Sequence, residues 1–341
     1  MSVIDRRGAG CAVSGSPSST TPLPSRRWPE STEGYRSPLG LPVMRSVGKD
    51  AARMSSPSVS VVIIHRDRPD AIGRTVDAFR QQTVTTRLIV VDNGSAPETA
   101  GRLRSLVGPE VELLMAGANL GFGPGGNLGI RRWLRRHETE WLAIAPHDAL
   151  PEADTLEKML GALADRPTVG LASADVGDGK VPIIDPYLGT IEADPTVEVG
   201  FEQSGYPHGT LMLLRRACAL EVGAFDERYF AYCEEAEFAL RAAGRGWQCG
   251  LVWGAVVRNP GMSASIERVA YLQLRNTLLM LREHFGRRQA WFRILVALVQ
   301  LPLGTVRPGA RGLHWSPSGR LKAIRDHLRG RYGPPPDDIA A

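Results

Sequence analysis

A doubly wound α/β fold, a mostly parallel sheet with helices on both faces, is what this sequence predicts, and three observations predict it. From Val59 to Ala172, short continuous apolar runs alternate with amphipathic stretches of helical period. The runs are apolar at nearly every position, as in strands covered on both faces. Acidic and small polar residues gather where the runs end, which is where open α/β sheets hold their ligands.

The elements follow in order. "VSVVII" (Val59–Ile64) is the first strand, and Pro69 and Asp70 then open a helix carrying Ile72, Val76 and Phe79 along one side. "LIVV" (Leu88–Val91) is the second strand, ending in the turn Asp92-Asn93-Gly94-Ser95, and a helix with Leu103, Leu106 and Val107 follows. "VELLM" (Val111–Met115) is the third, followed by a Gly-rich loop and a helix through Trp133 and Leu134. "WLAIA" (Trp141–Ala145) is the fourth and ends at His147 and Asp148. Leu156, Met159, Leu160 and Leu163 mark a fourth helix before a strand at Val169–Ala172. Pro182–Tyr206 is rich in turn residues and is expected to be a mobile loop on the acceptor side. "GTLMLLRR" (Gly209–Arg216) and "LVWGAVV" (Leu251–Val257) are further strands, and Val269–Leu303 is a helical C-terminal extension.

Charge divides the chain. Residues 1–57 carry eight basic against four acidic residues, and Arg287–Arg331 carries ten against Asp326 alone. With Asp337 and Asp338 contributing −2, the net charge of +5 leaves 5 − 4 − 9 + 2 = −6 for residues 58–286. The body is therefore acidic and its ends basic. No interleaved aromatic pattern supports a nucleic-acid partner. Residues 1–57, rich in Ser, Pro, Gly and Arg, are expected to be a disordered leader, part of it upstream of the true start given Met44 and Met54. The expected division is thus a leader (1–57), a body (58–286) whose halves meet near residue 175, and a basic amphipathic C-terminal segment (287–341). The four cysteines lack metal-ligand spacing, and with no apolar export segment visible they are expected to be reduced thiols of a cytoplasmic protein.

The residues with chemistry sit at strand ends. Asp92 is placed to accept hydrogen bonds from a base or ribose, with Asn93 beside it. "NLGFGPGGNLG" (Asn119–Gly129) contains G-x-G-x-x-G at Gly121, Gly123 and Gly126, but it follows the third strand. A dinucleotide fingerprint follows the first, so this loop is expected instead to bring backbone amides to a ligand, with Asn119 and Asn127 offering side chains. Asp148 is a single hard oxygen ligand of the kind a cation on a diphosphate needs. In "FAYCEEAEFALR" (Phe230–Arg241), Glu234 and Glu235 fall in the first turn of a helix, where the dipole stabilises an ionised acid fit to act as a general base.

Taken in order, "VSVVIIHRDRP", "LIVVDNGS", "NLGFGPGGNLGIR", the acid ending the fourth strand, "GTLMLLRR" and "VGAFDERYFAYCEEAEFALR" resemble the inverting family 2 glycosyltransferases of GT-A fold, especially their rhamnosyltransferase-like branch. The resemblance spans roughly Val59–Arg282. It implies a nucleoside-diphosphate-sugar donor whose base meets Asp92, a divalent cation (Mg2+ or Mn2+) at Asp148, and Glu235 as catalytic base supported by Glu234. Where the family commonly has a metal-site histidine, this chain reads Arg258 and Asn259, so Arg258 could neutralise the diphosphate and Asn259 could face the metal. The implied acceptor is a surface glycan, a lipid-linked glycan or a small metabolite. A sugar nucleotidyltransferase and an inactive nucleotide-sugar-binding module are the alternatives. Tyr206 and His208 are candidates for the acceptor side.

The segment Ala290–Gly304, "AWFRILVALVQLPLG", is too short to span a bilayer. Flanked by Arg287, Arg288, Arg307 and Arg311, it is suited either to an anionic membrane surface or to packing on the body.

Overall fold

The computed structural model describes residues 58–136, 139–259, 264–311 and 314–339; the expected leader lies outside them. Strand β1 (Ser58–His65) is buried from Val59 onward and lies inside the sheet. It pairs in parallel with β2 (Thr85–Asp92) on one side and β4 (Trp141–Pro146) on the other, and β3 (Glu112–Met115) lies parallel to β2. With β5 (Leu150–Pro151), β6 (Val169–Asp175), β9 (Gly200–Ser204), β10 (Met212–Arg215) and β11 (Gln248–Arg258), they make one nine-stranded sheet. Its order is β3-β2-β1-β4-β10-β6-β11-β5, with β9 pairing β11. β10 runs antiparallel between β4 and β6, while β6 and β11 are parallel. The mostly parallel, doubly wound sheet expected from the sequence is present.

Period-two alternation sorts the core into two layers. Val59, Val61 and Ile63 of β1 pack with helices α1 (Pro69–Arg80), α2 (Pro97–Val107) and α4 (Thr155–Leu163). Val62 and Ile64 face α3 (Phe122–Arg136), α5 (Arg216–Val222) and α6 (Glu234–Ala243). The predicted strand Gly209–Arg216 is shorter than expected, because Arg216 already opens α5.

Residues 182–206 differ from the expected mobile loop. They hold a hairpin, β7 (Val181–Asp185) and β8 (Gly189–Ala193), and then β9 on the edge of β11. Turn chemistry explains it: Asp185 Oδ1 accepts from the amides of Tyr187 and Leu188, both at 2.8 Å, and Gly189 takes φ 90°. The buried Glu202 carboxylate then ties Thr196 to the Trp253 indole.

The C-terminal extension is broken at Gly286 (φ 116°) into α7 (Ile266–His284) and α8 (Arg287–Val306), followed by α9 (Pro317–Leu328). Tyr271, Leu274 and Leu278 of α7 pack with Ile294 and Ala297 of α8 and with Ala323 and Ile324 of α9. The expectation that Ala290–Gly304 is too short to span is corrected: the helix extends beyond it at both ends. Among the described residues α8, 20 residues long, is the one helix long and apolar enough, by length and composition, to cross a bilayer.

Candidate active site

The carboxyl ends of β1, β2 and β4 meet at one edge of the sheet, and antiparallel β10 enters from that same edge. His65 ends β1 and is in register with Asp92, which ends β2. Asp92 is 2% exposed and its Oδ1 has no partner; His65 is fully buried and neither ring nitrogen has one. Buried polar atoms without partners are costly, and a ligand edge carrying donors and acceptors relieves that cost. Burial, with His147 nearby (ring centroids 5.6 Å apart), lowers the His65 pKa to about 4, so the imidazole is neutral and offers one donor and one acceptor.

The Gly-rich loop meets protein where a ligand was expected. A Cβ on Gly121 would lie 2.2 Å from the Phe230 carbonyl oxygen, and one on Gly123 would lie 3.2 Å from Glu234 Cγ. Gly123 N–H donates to that same Phe230 carbonyl at 3.3 Å. These glycines close the start of α3 onto the loop that carries the acidic pair. The three asparagines have partners within the protein. Asn93 spends its side chain on Gly121 O (2.9 Å) and Leu120 N (3.0 Å), and Asn119 accepts from Gly121 N (3.1 Å). Asn127, 1% exposed, exchanges hydrogen bonds with both backbone groups of Phe225. They build the floor of the site.

Glu234 and Glu235 occupy the first turn of α6, as expected. The loop before them is strained: Phe230, Tyr232 and Cys233 all have positive φ, between 63° and 69°. Asn276 of α7, fully buried, restrains it by donating to the carbonyls of Tyr229, Ala231 and Tyr232 at 2.7, 2.8 and 2.8 Å. Arg275 Nε in turn orients Asn276 through its Oδ1 (3.1 Å). Neither carboxylate is the freely ionised acid the sequence suggested. Desolvation raises Glu234 well above the ordinary carboxylate range, with the charge of Glu235 adding to it, and raises Glu235 to about 7. Hydrogen bonds from their own backbone amides oppose the shift and are outweighed. At neutral pH Glu235 is thus poised between its two forms. The Oε2 of each is buried and without a partner. Glu235 Oε1 rests against Gly209, where a Cβ would stand only 2.5 Å away.

Asp148 follows β4 and is 9% exposed; Asn259, just past β11, reaches its Oδ1 at 3.4 Å. The two predicted metal-side residues are therefore together. Among the described residues no cluster of three or more His, Cys, Asp or Glu side chains could hold a metal alone. Arg258 lies 76% exposed and pairs with Glu152 at 3.2 Å. β10 pairs antiparallel with β4, Met212 opposite Ile144, so the chain entering β10 at Gly209 stands beside the end of β4. Asp148 and the acidic pair thus share one edge of the sheet.

Sequence reasoning missed three contributors. His65 carried no signal beyond its place at a strand end, and Gly209 is one of many glycines. Asn276 lies within an apolar helical run, where an amide facing the core was the available clue. Burial pushes the hydroxyl of Tyr206, an acceptor-side candidate, above its ordinary pKa, with Cys233 and Glu235 adding to the shift. A separate groove lined by Arg80, Arg87, Glu110 and Arg132 opens at the amino ends of β1 and β2, away from this edge.

The sheet is that of the GT-A fold, and the chain's similarities are to nucleotide-sugar-dependent glycosyltransferases. Residues 60–222, a little under half of the chain, match the model of "Glycosyl transferase family 2". It is similar to the N-acetylglucosaminyl-diphospho-decaprenol L-rhamnosyltransferase of Mycobacterium tuberculosis, 24% identical over 283 residues, covering 72% of this chain and 83% of that protein. It is also similar to the low-salt glycan biosynthesis hexosyltransferase Agl10 of Haloferax volcanii, 25% identical over 67% of this chain and 77% of the relative. In fold it matches the mannosyltransferase PcManGT of Pyrobaculum calidifontis, solved with GDP-Man and Mn2+. That match has a TM-score of 0.55 at 18% identity and covers 82% of this chain and 89% of the other.

Proposed function

We propose that this enzyme moves a hexosyl or deoxyhexosyl group from a nucleoside-diphosphate sugar to a hydroxyl of a lipid-linked glycan, with Glu235 as the base. The observation that carries the reading is the buried, unpartnered Glu235 Oε2 at the same sheet edge as the unpartnered Asp92 Oδ1. The rhamnosyl and hexosyl activities of the relatives favour a deoxyhexose or hexose donor.

In this reading the donor base lies against Asp92 and His65, whose unmatched atoms supply acceptors and one N–H. The acceptor hydroxyl meets Glu235. As its oxygen attacks the anomeric carbon, Glu235 takes the proton, a new C–O bond forms, and the bond to the diphosphate breaks on the opposite face. The leaving nucleoside diphosphate carries off the electron pair, and configuration inverts. A base of pKa near 7 suits this transfer at neutral pH.

Asp148 with Asn259 would hold a divalent cation, since Mg2+ and similar ions need only one or two protein carboxylates beside a diphosphate. When bound, such an ion neutralises charge building on the leaving group. Arg258 is a second source of positive charge. Its surface pair with Glu152 is of a kind worth under about 1 kcal/mol, so the guanidinium can turn to the diphosphate.

For place of action we propose the cytoplasmic face of the membrane, with α8 in the interface. Its Ala290, Ile294 and Ala297 side packs on the body, and a bilayer-spanning pose would strip that contact. A thermal-shift panel of rhamnosyl, mannosyl and glucosyl nucleotides, with and without Mn2+ or Mg2+, tests the donor and metal assignments together. One donor is expected to raise Tm, and more so with metal. A panel in which no nucleotide-sugar shifts Tm defeats the proposal.

A further inference from the structure

Residues 329–339 read by composition as a polar, proline-rich tail, yet they are seated beside the loop that carries the acidic pair. Gly333 N–H donates to the Arg228 carbonyl at 2.8 Å, and the Gly333 carbonyl accepts from Arg275 Nη2 at 2.7 Å. Tyr332 packs on the buried cluster of Tyr229, Cys233 and Ala236, and its ring faces the Arg282 guanidinium at 5.6 Å. Ile339, 2% exposed, belongs to the cluster that contains Phe230. The mechanism above uses none of these contacts.

Arg275 of α7 joins this tail to the site. It is 1% exposed, and each of its nitrogens has a different partner. Nη2 takes the Gly333 carbonyl, Nη1 takes the Tyr271 hydroxyl at 3.3 Å, and Nε takes Asn276 Oδ1 at 3.1 Å. The Tyr271 hydroxyl donates in turn to Asp326 of α9 at 2.9 Å. A buried guanidinium is costly unless its donors are matched, so these partners lock one another. Asn276, aligned by its bond to Arg275, turns its amide to the carbonyls of Tyr229, Ala231 and Tyr232. The positive φ values of Phe230, Tyr232 and Cys233 persist only where the surroundings over-determine them. Contacts thus run without a gap from Gly333, through Arg275 and Asn276, to the loop that leads into Glu234 and Glu235.

We infer that Arg275 is a positioning residue for Glu235, and that the seated tail, through Gly333 and Tyr332, holds Arg275 in place. The inference rests on Glu235 as the base and adds which distant groups aim it. It makes the C-terminal segment a working part of the site. With the tail unseated, Asp92 and His65 are untouched, so the enzyme binds donor and turns over slowly.

Amide hydrogen exchange and turnover of the full chain test it, in wild type, Arg275→Met, Arg275→Lys and Tyr332→Ala. Rhamnosyl, mannosyl and glucosyl nucleotides are offered in turn with water as acceptor, and released nucleoside diphosphate gives the turnover. R275M and Y332A are expected to raise exchange across residues 229–235 about tenfold or more. They are expected to lower kcat about tenfold or more, with donor affinity within about twofold of wild type. R275K, which keeps the charge and loses the planar fork, should fall between. Y332A, on the tail itself, decides the matter should R275M fail to fold. Unchanged exchange in 229–235 overturns the inference, and so does raised exchange with undiminished turnover. A loss of donor affinity as large as the loss of kcat also overturns it, as the mark of general loosening. Glu235→Gln separates the two readings. An E235Q variant with full turnover sinks the base and the inference with it; an inactive E235Q beside fully active R275M and Y332A sinks the inference alone.

Discussion

Glu235 rests its Oε1 on the α-carbon of Gly209, so closely that one added methyl carbon would stand 2.5 Å from it. The position of the base is therefore set by a residue on a different element, at the mouth of β10. Gly209→Ala is expected to displace the carboxylate and lower kcat by about ten- to a hundredfold, as misplaced catalytic groups do. Donor affinity should stay within about twofold, because Asp92 and His65 are untouched. Steady-state kinetics with a nucleotide titration checks both, and an unchanged kcat would separate Gly209 from the chemistry.

Replacing Glu235 by Gln keeps the shape and removes the base. General-base assistance is worth about two to four orders of magnitude, so turnover should fall at least about a hundredfold with donor binding nearly intact. Activity that survives this change removes Glu235 from the role.

Glu235 also predicts two pH effects. Turnover needs its ionised form, so kcat should rise through pH of about 7 and flatten above it. For stability the sign is opposite. Between the ordinary carboxylate value of 4.5 and about 7, the unfolded chain releases a proton that the native chain keeps, so stability falls as pH rises. Glu235→Gln abolishes this loss and should gain on the wild type across that window, by up to about 3 kcal/mol. Denaturation at pH 5 and pH 8 measures it; a difference independent of pH contradicts the raised pKa.

Asn276 holds three carbonyls of the strained loop before the acidic pair. Asn276→Leu leaves buried acceptors unmatched, at about 1–3 kcal/mol for each group left without a partner. A fall in Tm together with a fall in kcat is expected. Lost stability with full catalysis in the folded fraction would show that the strap does not position Glu235.

Asp148→Asn should weaken metal-dependent donor binding more than metal-free binding, because it removes the one carboxylate of the Asp148–Asn259 pair. Titrating the nucleotide with and without Mn2+ reads the difference. Equal losses in both conditions would place Asp148 outside the metal site.

Much of the fold was legible because periodicity reports directly on burial. Val59–Ile64 reads as a strand covered on both faces, and Ile72, Val76 and Phe79 read as the inner side of a helix; both are so. The hairpin in residues 182–206 was not legible, since its order comes from an Asp185 turn and from pairing with distant β11. The Gly-rich loop misled for a related reason. Glycine announces a close approach without saying to what, and here the partner is the Phe230 loop more than a hundred residues downstream.

By itself the sequence determined the strand–helix alternation, the placing of Asp92 and Asp148 at strand ends, and an acidic pair opening a helix, because each depends on neighbours in the chain. Tertiary structure alone decided the desolvation that raises Glu234 and Glu235, the seat of Glu235 on Gly209, and the hold of Asn276 on the loop before them. Those depend on which distant groups exclude water and which partners arrive, and no local pattern of residues encodes that.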